Sequence, residues 1–99
     1  DPKSVDKVDP RIAALALKAA QRAVELSKGA DPNCLDSLAE AQFRTGAAAA
    51  AVATEEKTIA WIKANIKNVT DDQLKEFNDH LDRYRKAADK DVKKDADNK

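Results

Sequence analysis

The chain lacks most of what a closed catalytic fold is assembled from. It has one cysteine, one histidine, no methionine, two glycines and three prolines in 99 residues. One cysteine excludes an internal disulfide; a free thiol mildly favours a reducing cytoplasm, while a fragment of an exported protein, and hence a periplasmic site, looks the same. Two glycines leave no glycine-rich phosphate loop, and no Ser-His-Asp set can be assembled, so catalysis by this domain alone is not expected. Scarce glycine and proline also leave little punctuation for sheets or long loops. The longest small-residue run, Ala47 to Ala53, is too short and too weakly hydrophobic to cross a bilayer, and no stretch resembles a secretory signal. Eighteen basic and eighteen acidic residues cancel, so no net field draws in nucleic acid or an anionic membrane.

What is present is alanine, charge and repetition. About half of the apolar residues are Ala, which buries little area but lets helix axes approach closely. Charges alternate in sign, as in Asp79-His80-Leu81-Asp82-Arg83, the pattern of a solvated helix face. Eleven residues from Ala16 to Leu26 are nearly respelled 35 residues later from Ala51 to Trp61, with Leu17 meeting Val52, Val24 meeting Ile59 and Leu26 meeting Trp61. A self-similarity of this period, with a second helical pattern between, marks stacked helix pairs.

Local signals divide residues 10–90 into four helices of an antiparallel, all-α stack. Residues 1–9 read as a flexible tether and residues 91–99 as a charged, disordered tail. Asp9-Pro10 is an N-cap followed by proline at the first helical position. Ile12, Leu15, Ala16, Ala19, Ala20, Ala23 and Leu26 then form an apolar stripe, with Leu17 and Val24 outside it, so this helix is expected to be sandwiched between neighbours. Gly29 ends it, Asp31-Pro32 restarts a helix, and so short a link turns the chain back on itself. Leu35, Leu38, Ala39 and Phe43 form the second helix's apolar side and Gly46 its stop. The third helix starts within Ala47 to Ala51, presents Val52, Ile59, Ile62 and Ile66, places Lys63 and Lys67 toward its negative end, and frays from Asn65 to Asn68. Thr70 and Gln73 form a capping box, stapled by Val69 and Leu74. Leu74, Phe77, Leu81, Tyr84 and Ala88 make one stripe of the fourth helix, opposed by Asp79–Arg83 and Asp82–Lys86 pairs.

The segment from Leu35 to Gly46, with Ala51, Val52, Thr58 and Ile59, resembles a tetratricopeptide (TPR) repeat. Leu35, Leu38 and Ala39 match the start of that family's first helix, Gly46 its turn and Ala51 the first close-contact site of the second helix. Leu35 stands where the family prefers Trp, Gln42 where it prefers an aromatic, with Phe43 next to it, and Thr58 where it prefers Ala. The resemblance covers residues 11–67 as roughly one and a half repeats, with Ala16 and Ala23 at the close-contact sites of an earlier second helix. Residues 70–90 then resemble the solvating helix that closes such arrays. The resemblance implies a protein–protein interaction or scaffold module, non-catalytic and without cofactor, that holds a protein or peptide segment or another domain of its own parent chain. Similar bacterial segments follow thioredoxin-like or other catalytic domains, which implies the alternative of an accessory segment of a larger enzyme. Self-association through the first helix is a third reading.

Within such a fold the candidate partner contacts are Asn33, Asp36, Ser37, Glu40 and Arg44 on the second helix; the same residues also read as its ordinary solvent side. His80 with Glu76 one turn before it offers two metal ligands where zinc sites want three or four, so no metal is expected and His80 reads as solvated. Cys34, in a helix's first turn, reads as a half-buried small hydrophobe rather than a nucleophile. Trp61 reads as packing beneath the fourth helix rather than as an exposed anchor.

Overall fold

A computed structural model describes residues 9–97, with side chains through Lys93. Residues 1–8 of the expected tether and the last two residues of the expected tail lie outside that range. The described chain is a run of four helices: α1 (Pro10–Leu26), α2 (Pro32–Arg44), α3 (Ala48–Asn65) and α4 (Asp71–Asp97). Its starts follow the sequence signals closely. The Asp9 and Asp31 carboxylates accept from the backbone N–H groups of Arg11 at 2.8 Å and Asn33 at 2.9 Å, each with proline at the first helical position. The Thr70 and Gln73 side chains bond each other's backbone N–H, at 3.2 and 2.9 Å, and Val69 packs on the same apolar cluster as Leu74. Gly46 lies at φ +91°, a left-handed conformation that lets Ala47 N–H reach back to the Gln42 carbonyl at 2.8 Å.

The helices pack in chain order, α1 on α2, α2 on α3 and α3 on α4. α3 is therefore the covered helix. Ala48, Ala51, Thr54, Glu55, Thr58, Ile59 and Ile62 are buried around more than one side of it. Ala39 and Ala51 meet with Tyr84 where α2, α3 and α4 converge, and Ile59, Ile62, Leu74 and Leu81 fill the α3–α4 seam. Trp61 packs against that second cluster, and Cys34 is half-buried, both as expected. Gln42 and Thr58, two of the three positions that depart from the resemblance, are held by hydrogen bonds. Gln42 accepts from the Thr54 hydroxyl at 2.6 Å, and the buried Thr58 hydroxyl donates to the Thr54 carbonyl at 3.0 Å.

Three expectations need correction. α1 is not sandwiched: it packs on α2 and makes no comparable contact with α3 or α4. It meets α2 through Ala13, Leu17, Ala20 and Val24, so Ile12, Leu15 and Leu26 of the sequence stripe stand 60%, 66% and 68% exposed. α4 does not give way to a disordered tail at residue 91 but continues to Asp97, since residues 91–97 contain neither glycine nor proline and their Lys and Ala are good helix formers. Charge pairing on α4 is also redistributed. Asp82–Lys86 forms at 3.0 Å, but Asp79 pairs back to Lys75 at 2.8 Å because Arg83 is drawn across to Glu40 on α2. Lys67 lies beyond the end of α3.

Ala39 and Ala51 are wholly inaccessible. Ala39→Leu is expected to lower stability by about 1–3 kcal/mol through overpacking, and Thr70→Ala by about 1 kcal/mol through the lost cap. Urea unfolding checks both, and an Ala39→Leu midpoint equal to wild type contradicts the close α2–α3 seam.

Candidate functional site

A groove of about 770 Å³ runs along α2 between α1 and α4. Its α1 wall is Ala16, Ala19 and Ala20, its floor the outward side of α2, and its far wall His80 and Arg83 of α4. Helical spacing sets the floor: Asp36, Ser37, Glu40 and Arg44 recur at threes and fours and share one side of α2. Four of the five residues expected to contact a partner thus line this groove. Asn33 does not; it borders a separate cavity with Ile62, Ile66 and Val69.

The groove floor is already engaged in side-chain bonding. Glu40 accepts from Tyr84 at 2.6 Å, from Arg83 at 2.7 Å and from Arg44 at 3.0 Å. Burial alone would raise the Glu40 pKa, but the Tyr84 hydrogen bond and the two guanidinium groups outweigh it and hold the carboxyl below its usual range. The same arrangement, with burial the larger cause, pushes the Tyr84 phenol up, so it remains a donor. Arg83 lies 5.0 Å from the Phe43 ring centre, and Phe43 and Tyr84 have ring centres 4.9 Å apart, so α2 and α4 are joined by aromatic and charged contacts together.

At the groove's inner edge, His80 departs from expectation. It is half-buried, with Nδ1 3.2 Å from Asp36 Oδ1 and 3.3 Å from Glu55 Oε2. Sequence reasoning paired it with Glu76, on its own helix; its actual neighbours lie 44 and 25 residues away. Glu55 is wholly inaccessible, and its Oε1 is the buried side-chain oxygen without a hydrogen-bond partner among the described residues. A signal for it was present in the repeat. Glu55 stands 35 residues after Ala20, a charged residue at a position that must face a neighbour. Burial, then hydrogen bonding and repulsion from Asp36, push the Glu55 carboxyl up to about 9.

No protein-family model matches the chain, and comparison with curated proteins and with solved structures gives no match.

Glu55 therefore takes up a proton on folding, its carboxyl rising from about 4.3 in an unfolded chain to about 9. The groups facing it are Asp36 and Glu40 from α2, Thr58 on its own helix, and His80 and Tyr84 from α4. A raised carboxyl contributes stability that is full below the unfolded value and is lost as pH rises toward the folded one. Glu40, shifted downward, acts in the opposite sense and below this window. In chelator-containing buffer the urea midpoint is thus expected to fall between about pH 5.5 and about pH 8.5, and Glu55→Gln to flatten that fall. A wild-type midpoint that rises with pH over this interval contradicts the assignment.

Proposed function

We propose that this domain is a non-catalytic interaction module of TPR type that holds a helical segment of another protein or domain in the groove beside α1. The observation that carries the reading is a comparison of α1 with α3 across the 35-residue repeat. On α3, Ala51, Thr54 and Thr58 are buried, and the first two face α2 through Ala39 and Gln42. Their counterparts on α1 are Ala16, Ala19 and Ala23, of which Ala16 and Ala19 are exposed and line the groove. α1 thus carries the surface that α3 uses to receive a helix, and none of the described helices lies on it.

The chemistry of the occupant follows from the surround. At 100° per residue, Leu15, Leu26, Ala19, Ile12 and Ala16 form a continuous apolar strip that ends on the groove at one border and on Lys18 and Arg22 at the other. A fitting partner is an amphipathic helix with small or branched apolar residues at threes and fours, and acidic residues along the edge that meets Lys18 and Arg22. Three large apolar side chains exposed on a single helix form a strip of the kind that marks a protein contact.

Selection from a displayed library of helical peptides tests this. Enriched peptides are expected to carry that apolar spacing with acidic edges, and Ala19→Arg, at an exposed helical position, to weaken them at least tenfold without loss of helicity. No enrichment, or binding indifferent to Ala19→Arg, contradicts the proposal. So does a dimer in sedimentation that Ala19→Arg dissolves, which would assign the strip to a second copy.

A further inference from the structure

We propose that Asp36, Glu55 and His80 form a binding site for one divalent metal ion of the zinc class. One residue comes from each of α2, α3 and α4, and their ligand atoms all lie within 4.8 Å of one another. Zinc bound tetrahedrally at about 2.0–2.2 Å holds neighbouring donors about 3.3 Å apart. His80 Nδ1 lies 3.2 Å from Asp36 Oδ1 and 3.3 Å from Glu55 Oε2, so the imidazole already stands at that spacing from each carboxylate, and the two carboxylates lie within 4.8 Å of each other.

Glu55 supplies the independent observation. Its side chain is wholly inaccessible, it ends within the cluster, and its Oε1 has no hydrogen-bond partner among the described residues. A carboxylate sealed in a helix seam with an unmet oxygen is costly unless a proton or a cation occupies the gap. With both carboxylates deprotonated and the imidazole neutral, the three donors carry two negative charges, which a divalent ion cancels. Sequence chemistry agrees with the placement: at the equivalent position α1 has Ala20, where no second acid and no imidazole converge.

The donor set also selects the ion. One imidazole with two carboxylates suits zinc and its neighbours, whereas calcium and magnesium want six or more oxygen ligands. Asp36 and His80 are each 27% exposed and both line the groove, so an ion has a path in and a fourth position that faces solvent. Three protein ligands with an open fourth position is the arrangement in which zinc holds a water or an incoming ligand. Occupation would tie α2, α3 and α4 at one point.

The test uses the full chain, stripped of metal, titrated with Zn²⁺ by calorimetry and with Co²⁺ by visible absorption. One ion per chain is expected, with Co²⁺ bands of four-coordinate oxygen and nitrogen ligation and a rise in thermal midpoint on adding Zn²⁺. His80→Ala and Asp36→Asn are each expected to weaken binding at least tenfold while circular dichroism stays helical, and Cys34→Ser to leave it unchanged. Because Glu55→Gln alters a sealed residue, the two half-exposed positions carry the decision if that variant does not fold. The proposal is overturned by no saturable Zn²⁺ binding, by binding that His80→Ala does not weaken, or by a Co²⁺ thiolate band that Cys34→Ser removes.

Discussion

Ala39 on α2 and Ala51 on α3 are both wholly buried, and with only methyl groups between them the two backbones come close enough for Tyr84 of α4 to close over the junction. The other features depend on that approach. Thr54 can reach Gln42, Glu40 can reach Tyr84, and Glu55 is sealed under α4 because the seam beside it is thin. A chain with four aromatic residues and no methionine has few large side chains to fill a wide core. It gains stability instead by close packing of small residues, in which dispersion contacts are many and rotamer entropy losses are small.

Thin seams leave room for charge between helices. Glu40 gathers Tyr84, Arg83 and Arg44, while Asp36 and Glu55 gather His80, so α2 and α4 are connected by polar side chains along the groove. Such contacts contribute little on a wet surface but more where one partner is desolvated. The residues expected to meet a partner are thus divided: Asp36 and Glu40 are half-buried and bonded to α4, while Ser37 and Arg44 are exposed on the groove, Arg44 with its Nε held by Glu40.

Local features of the fold were legible because the residues that create them are adjacent. Asp9-Pro10, Asp31-Pro32, Gly46 and the Thr70–Gln73 box each act over three or four residues, and each appears where the sequence puts it. The packing side of α1 was not legible, because Ile12, Leu15 and Leu26 form a larger apolar stripe than the Ala13, Leu17, Ala20 and Val24 side that α2 covers. Hydrophobic periodicity reports what can be buried, and not which neighbour is there to bury it. The Asp36–Glu55–His80 cluster was equally hidden. Its members come from three helices, and from sequence His80 looked like one more polar residue on a charged face. Only the substitution of Glu55 for Ala20 across the repeat hinted that something other than apolar packing occupies that seam.

The central claim is that α1 repeats the receiving surface of α3, and completing the repeat tests it directly. In a chain with a copy of residues 31–47 spliced directly ahead of Ala13, the position that corresponds to Ala48, the added helix is held at high effective concentration over the strip. The account predicts a higher urea midpoint than the parent chain, together with loss of access of the Ala16, Ala19 and Ala23 methyl groups to a soluble paramagnetic probe. An unchanged midpoint, with those methyl groups as accessible as before, would contradict it.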